Sequence, residues 1–347
     1  MSGGVDSSVA AALLIDQGYD VTGVTLRLWT EQDQTERREG GCCSLDDIDD
    51  ARRVCHRLGI RHLTLNMKEQ FKTRVVDYFI DEYISGRTPN PCIACNRHIK
   101  FDEMLRRAKL LEYDFIATGH YAQISQNGDR HGLRRAARPE KDQSYALYTL
   151  TQKQLSHLLL PLGGYSKEQV RLIAKEKELA VFSKPDSQEI CFVPDNNYTR
   201  FLERSGVDLP GQGDFIDRDG NVLGRHNGYW RYTCGQRKGL GVTFGKPMFV
   251  TGISPRDNTV SLGESGEEYR SRFEVREINY IAFEPPREPF RAEVKLRYSA
   301  IPAACTVYPD DGNRAAVSLD KPGRAVTPGQ AAVFYNGDRV LCGGVII

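Results

Sequence analysis

Segments of the first 200 residues switch repeatedly between two hydrophobic periods, and that switching limits the fold more than anything else in the chain. "YDVTGVTLRLW" and "RHLTLNM" carry the two-residue alternation of strands. "LDDIDDARRVCHRLGI" instead places Leu45, Ile48, Ala51, Val54, Cys55 and Leu58 on one helical face. Residues 5–17, "EQFKTRVVDYFIDEYISG", "IKFDEMLRRAKLL", "TQKQLSHLLLPLG" and "SKEQVRLIAKEKEL" read as further helices, and "YDFIATGHYA" as a strand. Strands that alternate with helices predict an α/β domain, a parallel sheet with helices on both faces.

After about Tyr198 the pattern changes. "GVDLPGQGDFIDRDGNVLGRHNG" is rich in Gly and Asp, and from about Arg272 the runs "AEVKLRY", "AACTVYP", "AAVSLD" and "QAAVFYNGDRVLCGGVII" read as short strands separated by turns. A chain of 347 residues exceeds one typical domain. The expected division is a catalytic α/β domain over residues 1–200, a small central domain over 201–270, and an antiparallel β-barrel over 271–347.

Apolar content of 40% and charged content of 27% fit a globular protein, and no run approaches the roughly 20 apolar residues that span a bilayer. No basic segment followed by an apolar stretch of signal-peptide length opens the chain, so a cytoplasmic location without membrane contact is expected. Nine cysteines point to thiols, metal ligands or redox chemistry rather than a disulfide framework. A net charge of +1 names no polyanion partner, but residues 96–141 hold ten Lys/Arg against six Asp/Glu. That local excess is either a solvated face or a surface for nucleic-acid phosphates.

The opening "SGGVDSS" enters the first helix directly. A Gly-Gly turn there presents backbone N–H groups at a positive helix end, an anion site to which Ser2, Ser7 and Ser8 add hydroxyls. Asp6 suits a phosphate site only if a divalent cation accompanies the phosphate. No Lys follows the glycines, so this is not a Walker loop. The plainer alternative is an ordinary glycine turn before a helix. "RTPNPCIACNRHIKF" places Cys92 and Cys95 at a helix start, where a thiol is acidified. Half a zinc site, completed by Cys42 and Cys43, is the alternative. Cys191 lies in "SKPDSQEICFVPD", a short polar loop that ends in apolar residues.

The first of these motifs resembles the PP-loop of ATP pyrophosphatases, which hold pyrophosphate while AMP is transferred to an oxygen. That loop normally follows the first strand of its sheet, and here the strand is absent; the expectation is initiation assigned to an internal Met. "GRTPNP", "CNRHIKF", "ATGHYA", "KDQSYAL", "SKPDSQEICF" and "YTCGQRKGLG", in that order and across nearly the whole chain, resemble the bacterial tRNA-specific 2-thiouridylases.

The resemblance implies ATP-dependent 2-thiolation of the wobble uridine in tRNAs for Lys, Glu and Gln. It assigns ATP binding to Ser2, Gly3, Gly4, Val5, Asp6, Ser7, Ser8, Leu26 and Gly119, with Mg reaching the ATP through Asp6. Cys191 would carry a persulfide from a donor protein, and Cys95 would join it in a transient disulfide. Asn90, Pro91 and Cys92 fall where the family contacts the target base, which must leave its stack. His120, Lys141, Asp142, Gln143, Arg297, Tyr298 and Gln330 match tRNA-contact positions. Read alone, Arg297 and Tyr298 alternate on a strand as surface and core. The best-known members of that family have Asp where Cys92 stands. Cys92, Cys95 and Cys191 together would hold three irons of a [4Fe–4S] cluster, an alternative route for sulfide. Two rival functions remain at this point: a PP-loop amide ligase of nucleotide synthesis, and a metal-containing RNA-binding protein without catalysis.

Overall fold

The computed structural model describes residues 1–28, 45–185, 190–193, 195–242, 244–310 and 313–347. They form two compact units. The first comprises Met1–Val76, Cys92–Asn196 and Asp338–Val340; the second comprises Asp77–Pro91, Asn197–Gly337 and Leu341–Ile347.

The chain begins with helix α1 (Val5–Asp16), strand β1 (Thr22–Arg27), α2 (Leu45–Arg57), β2 (Arg61–Asn66) and α3 (Lys68–Phe71). A wider π-type winding at Lys72–Asp77 leads into α4 (Tyr78–Ile84). Then come α5 (Pro91–Cys95), a second π-type stretch at Asn96–Glu103, and α6 (Met104–Leu110). β3 (Ile116–Ala117), β4 (Ala122–Asn127), β5 (Arg130–Arg135), α7 (Gln152–Leu155), β6 (Leu158–Leu159) and α8 (Lys167–Glu176) complete the first unit's elements.

In that unit β1 and β2 pair in parallel, from Thr22 opposite Arg61 to Arg27 opposite Asn66, with α2 as the crossover. β3 and β6 pair in parallel as well. The α/β reading of the sequence therefore holds. α1 is made of small and apolar residues, so it buries Val5, Ser8, Val9, Ala10, Ala11, Ala12 and Leu14 on nearly every side. Val5, Val9 and Ala10 share a core with Val170 and Ala174 of α8, Leu162 and the ring of Tyr121. α8 starts at a capping box in which Ser166 and Gln169 bond each other's backbone N–H.

Two sequence expectations are corrected. "YDFIATGHYA" is not one strand: β3 stops at Ala117, residues 118–121 turn, and β4 starts a hairpin with β5. "TQKQLSHLLLPLG" is not one helix: α7 ends after one turn, and Leu158 and Leu159 pair with Ile116 and Ala117. A leucine run fits a buried strand as well as a helix, and tertiary pairing decides between them.

The second unit holds α4, whose Tyr83 stacks on Tyr198 of α9 (Tyr198–Arg204) at 4.5 Å between ring centroids. β7 (Gly213–Ile216), β8 (Val222–His226), β9 (Phe249–Ser254) and β10 (Thr259–Gly263) form a sheet in the order β8-β7-β10-β9. β11 (Tyr269–Tyr280), β12 (Phe290–Lys295), β13 (Ala303–Pro309), β14 (Arg314–Arg324), β15 (Ala331–Asn336) and β16 (Arg339–Ile346) form an antiparallel barrel. It closes where Val275 of β11 pairs with Ile346 of β16. Its interior includes Val294, Val307, Val317, Phe334 and the thiols of Cys305 and Cys342. Burial pushes Cys305 up to about 12 and raises Cys342 as well, which suits core packing rather than reactivity. Phe334 is fully buried there, so Phe334→Ala is expected to cost the barrel about 3–5 kcal/mol, measured by urea unfolding.

Candidate nucleotide and thiol site

α1 begins at Gly4, which offers no side chain to cap it, so the first-turn N–H groups remain available to an anion. The turn before it is tight. Gly3 has φ +68°, and a Cβ there would lie 2.5 Å from the carbonyl oxygen of Asp47 at the start of α2. Gly119 closes the other side: its Cβ would meet the Asp6 carbonyl carbon at 2.7 Å and the Ser7 nitrogen at 2.8 Å. The serines divide their work. Ser7 Oγ accepts from the Ser2 N–H at 3.0 Å and holds the turn, whereas Ser8 is buried and donates to Gly4 O at 2.8 Å. Leu26 is half-buried on β1, opposite Leu65.

Asp6 sits in the first turn of α1, where the helix dipole favours a carboxylate. Its Oδ1 accepts from Lys167 Nζ at 2.7 Å and from Tyr121 Oη at 2.7 Å. Oδ2 has no hydrogen-bond partner among the described residues. The carboxylate is about one-third exposed and the Lys167 side chain 8% exposed, so the pair is largely shielded from water. One oxygen is neutralised and the other is left open, which fits a divalent cation brought in with phosphates. Sequence reasoning missed both Lys167 and Tyr121. The available signal was the aspartate itself, which needs a cation nearby when no ligand is bound.

The loop at residues 141–147 reaches toward two neighbours. Asp142 is buried and accepts from Ala136 N, Ser144 N and Ser144 Oγ, which sets the loop's shape. Gln143 Oε1 accepts from Tyr121 N at 2.9 Å. Asn96, beside Cys95, donates through Nδ2 to Ala146 O at 3.0 Å. Lys141 is half-buried; hydrogen bonds from the Glu168 backbone and Ser166, helped by the charges of Lys141 and Arg138, lower the pKa of Glu168 on α8. His120 Nδ1 lies 2.8 Å from Thr118 Oγ1. Burial, helped by the charge of Lys100, lowers its pKa to about 3, so the imidazole is neutral at physiological pH.

Cys92 is exposed, Cys95 is buried with 9% of its surface accessible, and Cys191 is exposed. Phe192, next to Cys191, packs edge-on against Phe71 of α3 at 5.9 Å between centroids. Lys184, earlier in the same segment, donates to Asp47 Oδ1 at 2.6 Å and Asp50 Oδ2 at 2.7 Å. Burial opposes the Lys184 charge, but the bonds to Asp47 and Asp50 outweigh it and raise its pKa. The Cys191 segment is thus tied to the residue that backs Gly3. Among the described residues no three His, Cys, Asp or Glu side chains converge to hold a metal ion. Cys42 and Cys43 lie outside the described residues.

The remaining predicted positions lie in the second unit. Asn90 is half-buried and Pro91 buried. Gln330 Nε2 donates to Thr88 O at 2.8 Å and Pro89 O at 3.3 Å, so the "TPGQ" run holds the "RTPNP" run. Arg297 and Tyr298 reverse the sequence expectation of surface and core. They lie beyond the end of β12; Arg297 Nη2 turns inward to Cys234 O, Ala325 O and Thr327 Oγ1, and Tyr298 is 46% exposed.

A glycine turn feeding an uncapped helix, an aspartate paired with a nearly buried lysine in its first turn, and parallel strands in the same unit define an α/β nucleotide-binding domain of the PP-loop class. Family comparison agrees and narrows it. Residues 1–195 match a family model described as a tRNA methyl transferase HUP domain. Residues 199–264 match a tRNA methyl transferase PRC-barrel domain, and residues 270–346 an aminomethyltransferase beta-barrel domain. The chain is 51% identical to the tRNA-specific 2-thiouridylase MnmA of Clostridioides difficile, over 100% of this chain and 96% of that one. It is 52% identical to the protein of the same name from Acetivibrio thermocellus, over 100% of this chain and 97% of the other. It belongs to the tRNA-specific 2-thiouridylase family. That membership disposes of the amide-ligase and the non-catalytic alternatives.

Two outcomes follow from this geometry. Gly119→Ala drives a methyl into the Asp6–Ser7 backbone, which must shift, and is expected to raise the KM for ATP about tenfold or more and to lower the melting temperature as well. His120 has a folded-state pKa below that of free imidazole, so the unfolded chain takes up the proton first and stability falls as pH drops from about 6.5 toward about 3. In His120→Gln this loss should be shallower by up to about 1.4 kcal/mol per pH unit, read from urea midpoints across that window.

Proposed function

We propose that this chain is a tRNA-uridine 2-sulfurtransferase that uses ATP to activate the C2 oxygen of the wobble uridine and then replaces that oxygen with sulfur. One observation carries the reading: identity of 51% along the full chain to 2-thiouridylases, in a protein whose nucleotide loop, Cys95 and Cys191 share one unit. The substrates are the tRNAs for Lys, Glu and Gln, which places the work in the cytoplasm.

The carbonyl oxygen at C2 is a poor leaving group. Its attack on the α-phosphorus of ATP forms a C2–O–AMP bond and releases pyrophosphate, which the N–H groups at the start of α1 hold. A divalent cation arriving with ATP supplies charge neutralisation, and Asp6 Oδ2 would hold it. Neutral His120 meets the RNA as a hydrogen-bond partner rather than a cation.

Sulfur transfer follows from thiol chemistry. The terminal sulfur of a Cys191 persulfide, loaded by a carrier protein, attacks C2 and AMP leaves with the oxygen. Cys95 thiolate then attacks Cys191 Sγ. The S–S bond to the nucleoside breaks, its electron pair stays on the sulfur at C2, and a Cys95–Cys191 disulfide forms. An external dithiol reduces that disulfide before the next turnover. The exposure of Cys191 suits reception from a carrier, and the burial of Cys95 suits protection of the resolving thiol.

The test is mass analysis of wobble nucleosides after incubation with unmodified tRNA, ATP-Mg, a persulfide donor and a dithiol. The wild type should yield 2-thiouridine and release pyrophosphate only when tRNA is present. Cys191→Ser should bring the thiolated product below detection while it keeps tRNA-dependent pyrophosphate release. Thiolation that survives in a Cys95→Ser/Cys191→Ser protein would overturn the scheme.

A further inference from the structure

The proposed reaction needs tRNA to be seated before ATP is spent, and the structure contains a short physical link between the two sites. Gln143 belongs to the loop proposed to contact tRNA; Asp6 belongs to the nucleotide loop. Tyr121 touches both. Gln143 N donates to Tyr121 O at 2.8 Å and Tyr121 N donates to Gln143 Oε1 at 2.9 Å, so two hydrogen bonds clamp the two residues together. Tyr121 Oη donates to Asp6 Oδ1 at 2.7 Å.

We propose that Tyr121 is a positioning residue that couples seating of the RNA on Gln143 to the orientation of the Asp6 carboxylate. The inference rests on the sulfurtransferase reading. Three features carry it. The ring is 2% exposed and lies in a core with Val5, Val9 and Val170, so it moves with its backbone and not independently of it. Gly119, two residues earlier, abuts the Asp6–Ser7 backbone, so the turn at residues 118–121 meets the nucleotide loop at two points without slack. The hydroxyl is the one polar atom on a buried ring, and its partner is charged, where a hydrogen bond counts most.

The amide of Gln143 has a donor end to spare, since Nε2 makes no hydrogen bond among the described residues. An RNA acceptor on Nε2 draws on an amide that the fold already holds, so its pull passes through the Tyr121 backbone and ring to Oδ1 of Asp6. Oδ2 is then presented in one orientation to the cation that travels with ATP. Without the hydroxyl, Lys167 alone holds the carboxylate.

Steady-state pyrophosphate release, varied in ATP-Mg and in tRNA, tests the coupling in wild type, Tyr121→Phe, Gln143→Leu and the double variant. Tyr121→Phe should lower kcat of the tRNA-dependent reaction about tenfold, with KM for tRNA nearly unchanged. Gln143→Leu should raise KM for tRNA and lower kcat by a similar factor. The double variant should fall no further in kcat than the weaker single, because both substitutions cut the same link. Losses in kcat that multiply, or a Tyr121→Phe kcat equal to wild type, would overturn the coupling. Should the buried substitution unfold the chain, Gln143→Leu decides: a raised KM with unchanged kcat overturns it. A wild type that releases no pyrophosphate in response to tRNA would overturn the function itself, and the coupling with it.

Discussion

A carboxylate in a phosphate-binding loop repels the ligand that the loop exists to hold, and the ion pair from Lys167 to Asp6 is what makes such a loop workable. Two like charges about 4 Å apart cost roughly 4 kcal/mol at the effective dielectric near a protein surface, enough to empty the site. Lys167 removes that penalty before the ligand arrives. Its own placement depends on α8, which the Ser166 capping box starts one residue earlier. A nearly buried ammonium is itself costly unless paired, so each partner requires the other. Tyr121 adds a neutral donor to the same oxygen, and the second oxygen has no hydrogen bond among the described residues.

The loop's shape comes from two contacts that contain no side chain. Gly3 lies against the backbone of Asp47 and Gly119 against that of Asp6 and Ser7. Each contact is continued by a polar one. Asp47 holds Lys184, in the segment that leads to Cys191, while the 141–147 loop holds both Tyr121 and, through Ala146, the side chain of Asn96 beside Cys95. The nucleotide loop and both thiol segments are therefore fastened to common neighbours within the first unit.

Much of this was legible in the sequence, and what was not has identifiable causes. Period-two and helical patterns located β1, α2, β2, α8 and the barrel strands β12 to β16, because amphipathic burial sets those patterns directly. The leucines at 158–160 misled because an apolar run has no period, and only Ile116 and Ala117 opposite them select a strand. The glycine loop declared an anion site through its residue types alone. Its cation, Lys167, lies 161 positions away, and nothing in "SKEQVR" marks that lysine as buried. Arg297 was misread for the same reason. Alternation predicts which way a side chain points within a strand, but this arginine stands past the strand's end, where the carbonyls of Cys234 and Ala325 draw it inward.

Several residues matched to RNA contact by resemblance are also those that hold loops together, and the two duties are compatible on chemical grounds. A primary amide has a donor end and an acceptor end. Gln143 spends its acceptor on Tyr121 N and keeps Nε2, which suits a phosphate oxygen or a base carbonyl. Gln330 spends its donor on Thr88 O and Pro89 O and keeps Oε1, which suits an N–H on a base edge. Each is anchored by the half it does not offer, so an RNA group that binds the other half meets a side chain whose rotamer is already fixed. The entropy of ordering a long polar side chain, of the order of 1–2 kcal/mol, is met during folding and is not charged to binding. Asp142, whose carboxylate is fully engaged with Ala136 and Ser144, has no end to spare and shapes the loop alone.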